Sequence, residues 1–345
     1  MEKSAKVPAS AKVISVVIPT YNRAAILQRT LEKLNEQTLP PELAEIIVVS
    51  DGSTDNTKTI CENFRKKSKY EFHFIEQSNK GQASARNAGI EKAKHDNDFG
   101  GRKDAKRGAT GIIIFIGDDI IPQHNHFLEN HLKVHQKYPS YIIIGETTWD
   151  PELKITPFMK WLEEGTFQRF SKGGAVVAFH HLKKRPMFDS DLILRNADIW
   201  HFYGGNISIP ANALKQEKFS EDFKGYGWED IELGARLIKN HFLKIAFTEL
   251  CPAYHYHEIT EEDFYKRLEE VKKTAEIFQQ KHPEIKIAPT GGKKMIFKIV
   301  SSEPILFMLK LLPGEFFKRL YWWARMKKGG LSPGLSHDQP RLVME

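Results

Sequence analysis

Ile112-Ile-Ile-Phe-Ile-Gly-Asp-Asp-Ile-Ile-Pro122 decides the fold. Five consecutive β-branched or aromatic residues read as a strand covered on both faces, and the polar turn that follows carries two adjacent carboxylates. Two earlier stretches repeat this grammar: Ser15-Val-Val-Ile-Pro-Thr-Tyr-Asn-Arg23 and Ile46-Ile-Val-Val-Ser-Asp-Gly-Ser-Thr-Asp55. Three such strands separated by helical patterns imply a parallel sheet. Ligand groups in open α/β sheets gather beyond the carboxyl ends of the strands. Asp51, Asp118 and Asp119 would meet at that edge, as a nucleotide and a metal ion require.

Working outward, strand 13–18 precedes a helix over Ala24 to Glu36, with Ile26, Leu27, Leu31 and Leu34 at core-facing spacing. Strand 45–50 leads to a helix opening at Ser53 or Thr54, where Asp55 can cap free N–H groups. A short strand, Glu71 to Glu76, runs into the loop and small-residue helix of Asn79 to Gly89. His95 to Thr110 is charged, glycine-rich and aperiodic, which reads as an exposed insertion. A helix holding His124, His126, His131 and His135 follows strand 112–117, and then comes strand Tyr141 to Gly145. The pair His131 and His135 lacks the glutamate of a zinc-protease motif, so all four histidines are expected to face solvent.

The pattern changes from Trp149. A short amphipathic helix begins near Thr156, two β segments flank an aromatic turn between Ile193 and Ile209, and a helix over Gly227 to Lys239 opens with acidic residues. Leu243 to Thr248 reads as a strand and Thr260 to Lys281 as a long helix. Lys294 to Lys328 mixes apolar runs, aromatics and lysines. It reads either as helices packed on the catalytic domain or as an in-plane membrane anchor. The expected organisation is a tail at 1–11, a domain over 12–290 with a first half at 12–147 and a second half at 148–290, a helical extension at 291–330 and a tail at 331–345.

Composition bounds the class. The 345 residues are 41% hydrophobic and 28% charged, which is globular. Only Cys61 and Cys251 are present, so no disulfide scaffold is expected and a reducing compartment fits. Met1 to Lys12 has no apolar core of a leader, and no uncharged run reaches the roughly 20 residues that span a bilayer. The formal net charge of +7 comes without zinc-finger spacing or an RNA-binding motif, so nucleic acid is not an expected partner.

Three carboxylate groups carry the chemistry. Asp51 ends a strand and precedes Gly52-Ser53, so it can accept hydrogen bonds from a base or ribose, or simply cap its own turn. Asp118 and Asp119 repel each other beside a buried strand, and a hard divalent ion bridging to phosphate oxygens relieves this; a surface turn is the plainer reading. Glu229 and Asp230 open a helix after Gly225-Tyr-Gly-Trp228. The helix dipole accounts for one carboxylate there and less well for two.

Taken together, Pro19-Thr-Tyr-Asn-Arg23, Val49-Ser-Asp-Gly-Ser53, Gly81 to Asn87, Gly117-Asp-Asp119 and Trp228-Glu-Asp230 resemble the family 2 glycosyltransferases. The resemblance covers roughly residues 13 to 280. The stretch from Gly204-Gly-Asn206 to Trp228-Glu-Asp230 also looks like the acceptor half of galactosyl- and N-acetylgalactosaminyl-transferases. The resemblance implies a GT-A fold, a Rossmann-like and mostly parallel α/β sheet flanked by helices. It implies that Pro19, Tyr21, Arg23, Asp51 and Ser53 line the nucleotide pocket, with Asp51 on uracil. Gly81, Arg86, Asp118, Gly205 and Asn206 would complete the donor side, with Arg86 near the base or diphosphate. Asp230 would be the catalytic base, and Glu229 with Trp228 would hold the acceptor. Asp119 would bind Mn2+ or Mg2+ with a late histidine, His255 in preference to His257. One departure stands out: the family's usual Asp-x-Asp would place an aspartate at 117, where this chain has Gly117.

The expected reaction is inverting transfer of a sugar from a UDP-sugar to a glycan or lipid-linked acceptor. It would take place in the cytoplasm, with peripheral contact to the anionic inner face of the membrane. A non-catalytic nucleotide-sugar or glycan-binding protein and a sugar nucleotidyltransferase are the rivals. The latter would be expected to carry a glycine-rich loop after its first strand, where this chain has Pro19 to Arg23.

Overall fold

The computed structural model describes residues 12–93, 111–164, 182–289 and 291–328. The insertion expected at 95–110 and the tails at 1–11 and 331–345 lie outside the described residues. The order of elements is β1 (Ile14–Thr20), α1 (Ala24–Asn35), β2 (Ala44–Asp51), α2 (Thr57–Lys67), β3 (Glu71–Gln77), α3 (Gln82–Lys92), β4 (Ile112–Ile116) and β5 (Ile120–Pro122). Then follow α4 (Phe127–Lys137), β6 (Tyr141–Trp149), α5 (Pro157–Glu164), β7 (Met187–Asp189), β8 (Leu194–Asn196), β9 (Asn206–Pro210), α6 (Ala211–Gln216), α7 (Glu229–His241) and β10 (Lys244–His255). The helices α8 (Glu261–Lys281), α9 (Gly291–Val300), α10 (Glu303–Leu311) and α11 (Glu315–Lys327) close the sequence of elements.

The strands form one sheet in the order β3-β2-β1-β4-β9-β6-β10-β8-β7, with β5 paired to β10. Parallel pairing holds among β3, β2, β1 and β4 and between β6 and β10. The pairs made by β9, β8 and β5 are antiparallel, so the sheet is mixed. Every residue of β1 and β2 is buried, because helices cover both faces. Val16 and Ile18 pack with Leu27, Leu31 and Leu34 of α1 and with Cys61 and Phe64 of α2. Val17 points the other way, as strand alternation demands, and meets Gly89 of α3.

That contact is tight. A Cβ added at Gly89 would lie 2.3 Å from Val17 Cγ1, so only glycine lets α3 approach the sheet. Gly89→Ala should therefore cost about 1–3 kcal/mol of stability by overpacking, read as a lower urea midpoint at unchanged m-value.

The chain divides into two compact units. One comprises the described residues within 12–153, 182–221 and 229–257, and so the whole sheet; the other comprises those within 154–164, 222–228 and 258–328. In the second unit Phe158 and Trp161 pack against Trp322, and Arg325 lies over the Tyr265 ring. Thr260 caps α8 as expected, its hydroxyl accepting the Asp263 N–H.

Three expectations need correction. Helix α2 begins at Thr57, later than Ser53 or Thr54, because those residues hold the neighbouring loop: Asn22 N–H donates to Ser53 Oγ and Thr54 N–H to Asn22 Oδ1. Asp55 lies one residue before the N-cap Asn56, and its carboxylate accepts from Thr57 N–H and from Ala24 N–H at the start of α1. Secondly, the four histidines do not all face solvent. His124 and His126 precede α4, but His131 and His135 are buried in it on the face shared with Phe127, Leu128 and Val134. Ser208 Oγ lies 2.9 Å from His131 Nδ1 and 2.8 Å from His135 Nε2, and one hydroxyl can donate to one ring while accepting from the other. Burial pushes both imidazoles down to about 3, so they are neutral.

The third correction concerns β10, which continues past Thr248 to His255 through an irregularity between Thr248 and Ala253. The Asn206 amide donates to Cys251 O and Glu146 O there, 3.0 Å each, and satisfies carbonyls that the disturbed ladder leaves over. A side chain at Gly145 would strike Cys251 O and that amide. The prolonged strand carries a histidine to the ligand edge of the sheet.

Candidate active site

The ligand edge is assembled from the ends of β1, β2, β4 and β10. Asp51, the last residue of β2, is buried, and its carboxylate accepts from Gln77 Nε2, Lys80 N–H and Gly81 N–H at 2.8–2.9 Å. It shapes the loop before α3, where Gly81 has φ +96. Gly52, at φ +82, passes so close to Asn79 N that a Cβ would sit 2.8 Å away. Pro19 is buried in β1, while Tyr21 is 49% exposed, an aromatic surface open to a planar ligand.

Asp118 and Asp119 follow β4 at Gly117. Asp118 Oδ2 accepts from Thr20 Oγ1 (2.7 Å), and its backbone carbonyl accepts from Thr30 Oγ1 (2.7 Å). Arg23 Nη1 lies 3.0 Å from Asp118 Oδ1 and 2.6 Å from Asp119 Oδ2, and Nη2 meets His257 Nδ1. Asp119 Oδ2 is also 3.3 Å from His255 Nε2 and 3.9 Å from His257 Nδ1. Both candidate histidines thus border the same carboxylate oxygen. His255 is oriented by stacking on Trp149, with centroids 5.4 Å apart at 11°. The Asp119 carbonyl accepts from Tyr256 N–H (2.9 Å), which ties the turn to the end of β10.

The electrostatics divide the pair. Burial and then the neighbouring Asp119 push Asp118 up to about 7. Burial also works to raise Asp119, but His255 and Arg23 outweigh it and hold that carboxyl well below its usual range. Asp119 Oδ2 has imidazole nitrogens of His255 at 3.3 Å and His257 at 3.9 Å, donor types that a divalent ion takes, and the Arg23 guanidinium is seated on the same oxygen at 2.6 Å. Gly117 bears on this arrangement, since a Cβ there would lie 2.7 Å from Asp119 Oδ1. The missing side chain gives Asp119 its room.

A second cluster sits in the first turn of α7. Arg86 of α3 is buried, and its Nη1 lies 3.0 Å from Asp230 Oδ1 and 3.4 Å from Glu229 Oε1, with the guanidinium over Phe219. Asp230 Oδ2 accepts from Gly204 N–H at 2.9 Å. Burial, then the charge of Asp230, pushes Glu229 up to about 7, and its buried Oε2 has no hydrogen-bond partner among the described residues. The dipeptide Gly204-Gly205 joins the two clusters: Gly204 N–H bonds Asp230, and Gly205 O accepts from Gly117 N–H at 3.1 Å. A side chain at Gly204 would collide with both Arg86 and Asp230.

Three expected residues are placed otherwise. Arg86 clasps the two α7 carboxylates, because burial demands that its charge be paired. Asn206 is interior, and its amide bridges β6 and β10. Trp228, in the second unit, is buried with its ring 4.7 Å from Phe278 and its Nε1 donating to Val271 O. Positive φ at Gly227 (+94) and Trp228 (+71) turns it that way. The sequence reading missed Thr20, Thr30 and Trp149 as supports. A hydroxyl ending β1 just before the nucleotide-loop motif was a readable signal for Thr20; Thr30, inside a helix, offered none.

A mannosyltransferase from Pyrobaculum calidifontis, solved in complex with GDP-Man and Mn2+, is similar over 95% of this chain and 88% of its own, with a TM-score of 0.56 at 14% identity. The fold is therefore GT-A. This chain belongs to glycosyl transferase family 2, whose family model matches residues 15–197, more than half its length. Validoxylamine A glucosyltransferase of Streptomyces hygroscopicus subsp. limoneus is 28% identical over 281 residues, covering 79% of this chain and 57% of the relative. Glycosyltransferase GlyG of Streptococcus pneumoniae is 41% identical over 212 residues, 61% of this chain and 59% of the relative. The chain thus spans less than two thirds of the length of these curated relatives.

Proposed function

We propose that this glycosyltransferase moves a hexosyl group from a UDP-sugar to a hydroxyl of a glycan or lipid-linked acceptor, with inversion, at the inner face of a membrane. The observation that carries the reading is the Gly204-Gly205 bridge, which holds the Asp118/Asp119 cluster and the Asp230/Glu229 cluster either side of one short turn. In one displacement, Asp230 takes the proton of the acceptor hydroxyl as its oxygen bonds to the anomeric carbon from the face opposite the leaving group. The bond from that carbon to the diphosphate oxygen breaks, and UDP departs with the electron pair. Glu229 Oε2, buried and without a partner among the described residues, can take a donor, and an acceptor hydroxyl would supply one.

Asp119, His255 and His257 would hold Mn2+ or Mg2+, which supplies positive charge against the developing diphosphate. Tyr21, Ser53 and the loop organised by Asp51 would receive the nucleoside. The test is a thermal-shift screen of UDP- and GDP-sugars with and without Mn2+, followed by UDP release in the presence of acceptor glycans. A UDP-sugar should raise Tm, and raise it further with the ion, by mass action. If no nucleotide sugar shifts Tm and none is consumed, the reading is wrong.

A further inference from the structure

Resting on the proposed work at a lipid surface, we infer that the outward faces of α9 and α10 are a docking surface for an anionic bilayer, with both helices lying in the headgroup plane. In α9, Met295, Ile296 and Ile299 are 50–63% exposed and share one helical face, while Phe297 and Ser301 are buried on the opposite one. In α10, Phe307, Met308 and Leu311 are 51–67% exposed, and the opposite side, Leu306 and Leu309, packs with Ala324 of α11. Both helices therefore carry an apolar face beyond the one their packing uses. A helix apolar on both sides belongs in a core or against lipid.

Charge names the occupant. Lys294 and Lys298 flank the exposed stripe of α9, Lys310 flanks that of α10, and all three are exposed, so their ammonium groups can reach lipid phosphates beside the buried stripe. The acidic groups of the segment are neutralised within it: Glu303 pairs with Lys328, and Glu315 with Arg319. A second copy of the chain would bring lysines against lysines, which disfavours self-association through this face. Helices of 10 and 9 residues are too short to span a bilayer, which takes about 20. No helix among the described residues is long and apolar enough to cross one.

Flotation of the full chain with vesicles of phosphatidylcholine alone, or with 30 mol% phosphatidylglycerol, tests this. Binding should appear only with the anionic lipid and weaken in high salt. The exposed-face variant F307S/M308S/L311S should lose about tenfold or more of that partition, and M295S/I296S/I299S should do likewise. Absence of wild-type binding to the anionic vesicles would overturn the inference, as would unchanged partition of both variants. A lipid-free dimer abolished by the same changes would assign the face to a second copy instead. The donor-induced Tm shift, measured on the same samples, separates the two readings: its loss in every protein with flotation intact would sink sugar transfer and leave the lipid surface standing.

Discussion

Asp230→Asn should lower kcat for transfer by about a thousand-fold, the middle of the range for removing a positioned general base, while UDP binding in the presence of Mn2+ stays intact. The reason is local. Asparagine keeps the shape and one acceptor for Arg86, but it cannot take a proton, and turning its NH2 toward Gly204 N–H forfeits that hydrogen bond. The lost bond should cost about 1 kcal/mol of stability, far too little to unfold the sheet. Rates with saturating donor and acceptor, beside calorimetric UDP affinity, make the measurement. Turnover close to wild type would remove Asp230 from the mechanism. Transfer and UDP binding lost together would mark it as a structural partner of Arg86.

Asp119→Ala should remove the ion-dependent part of donor affinity, about a hundred-fold or roughly 2.7 kcal/mol, while leaving ion-independent binding in place. Asp119 Oδ2 is where Arg23, His255 and His257 converge, so its deletion removes the one carboxylate oxygen that borders both imidazoles. The backbone bond from Tyr256 N–H to the Asp119 carbonyl survives truncation and keeps the turn in place. Titration of UDP-sugar with and without Mn2+ reads the difference directly. An unchanged Mn2+ effect would move the metal away from Asp119. Asp118 is the natural next candidate, although its Oδ2 is already engaged by the Thr20 hydroxyl.

The readable part of the site lay where chemistry and strand ends coincide. Asp51, Asp118 and Asp119 could be placed at one edge because each follows an apolar run that only a buried strand explains. Asp55 before α2 and Thr260 before α8 were legible for the same local reason: a short polar side chain next to free N–H groups. The histidines of α4 were misread because solvent-facing is the usual fate of a polar residue on a helix. The hydroxyl that meets one ring nitrogen of each of His131 and His135 belongs to Ser208, more than seventy residues away.

Local pattern, then, determined the β1-to-β4 half, its parallel order and the positions of its carboxylates, since helix and strand periodicities are written within a dozen residues. Which of those carboxylates share an arginine or a histidine was decided by tertiary structure. Arg86 reaches Asp230 across 144 positions of chain and Arg23 reaches His257 across 234. Desolvation, which presses on Asp118, Asp119 and Glu229 alike, and the His255 and Arg23 contacts that relieve it at Asp119 alone, exist only once the sheet and its helices have closed over them.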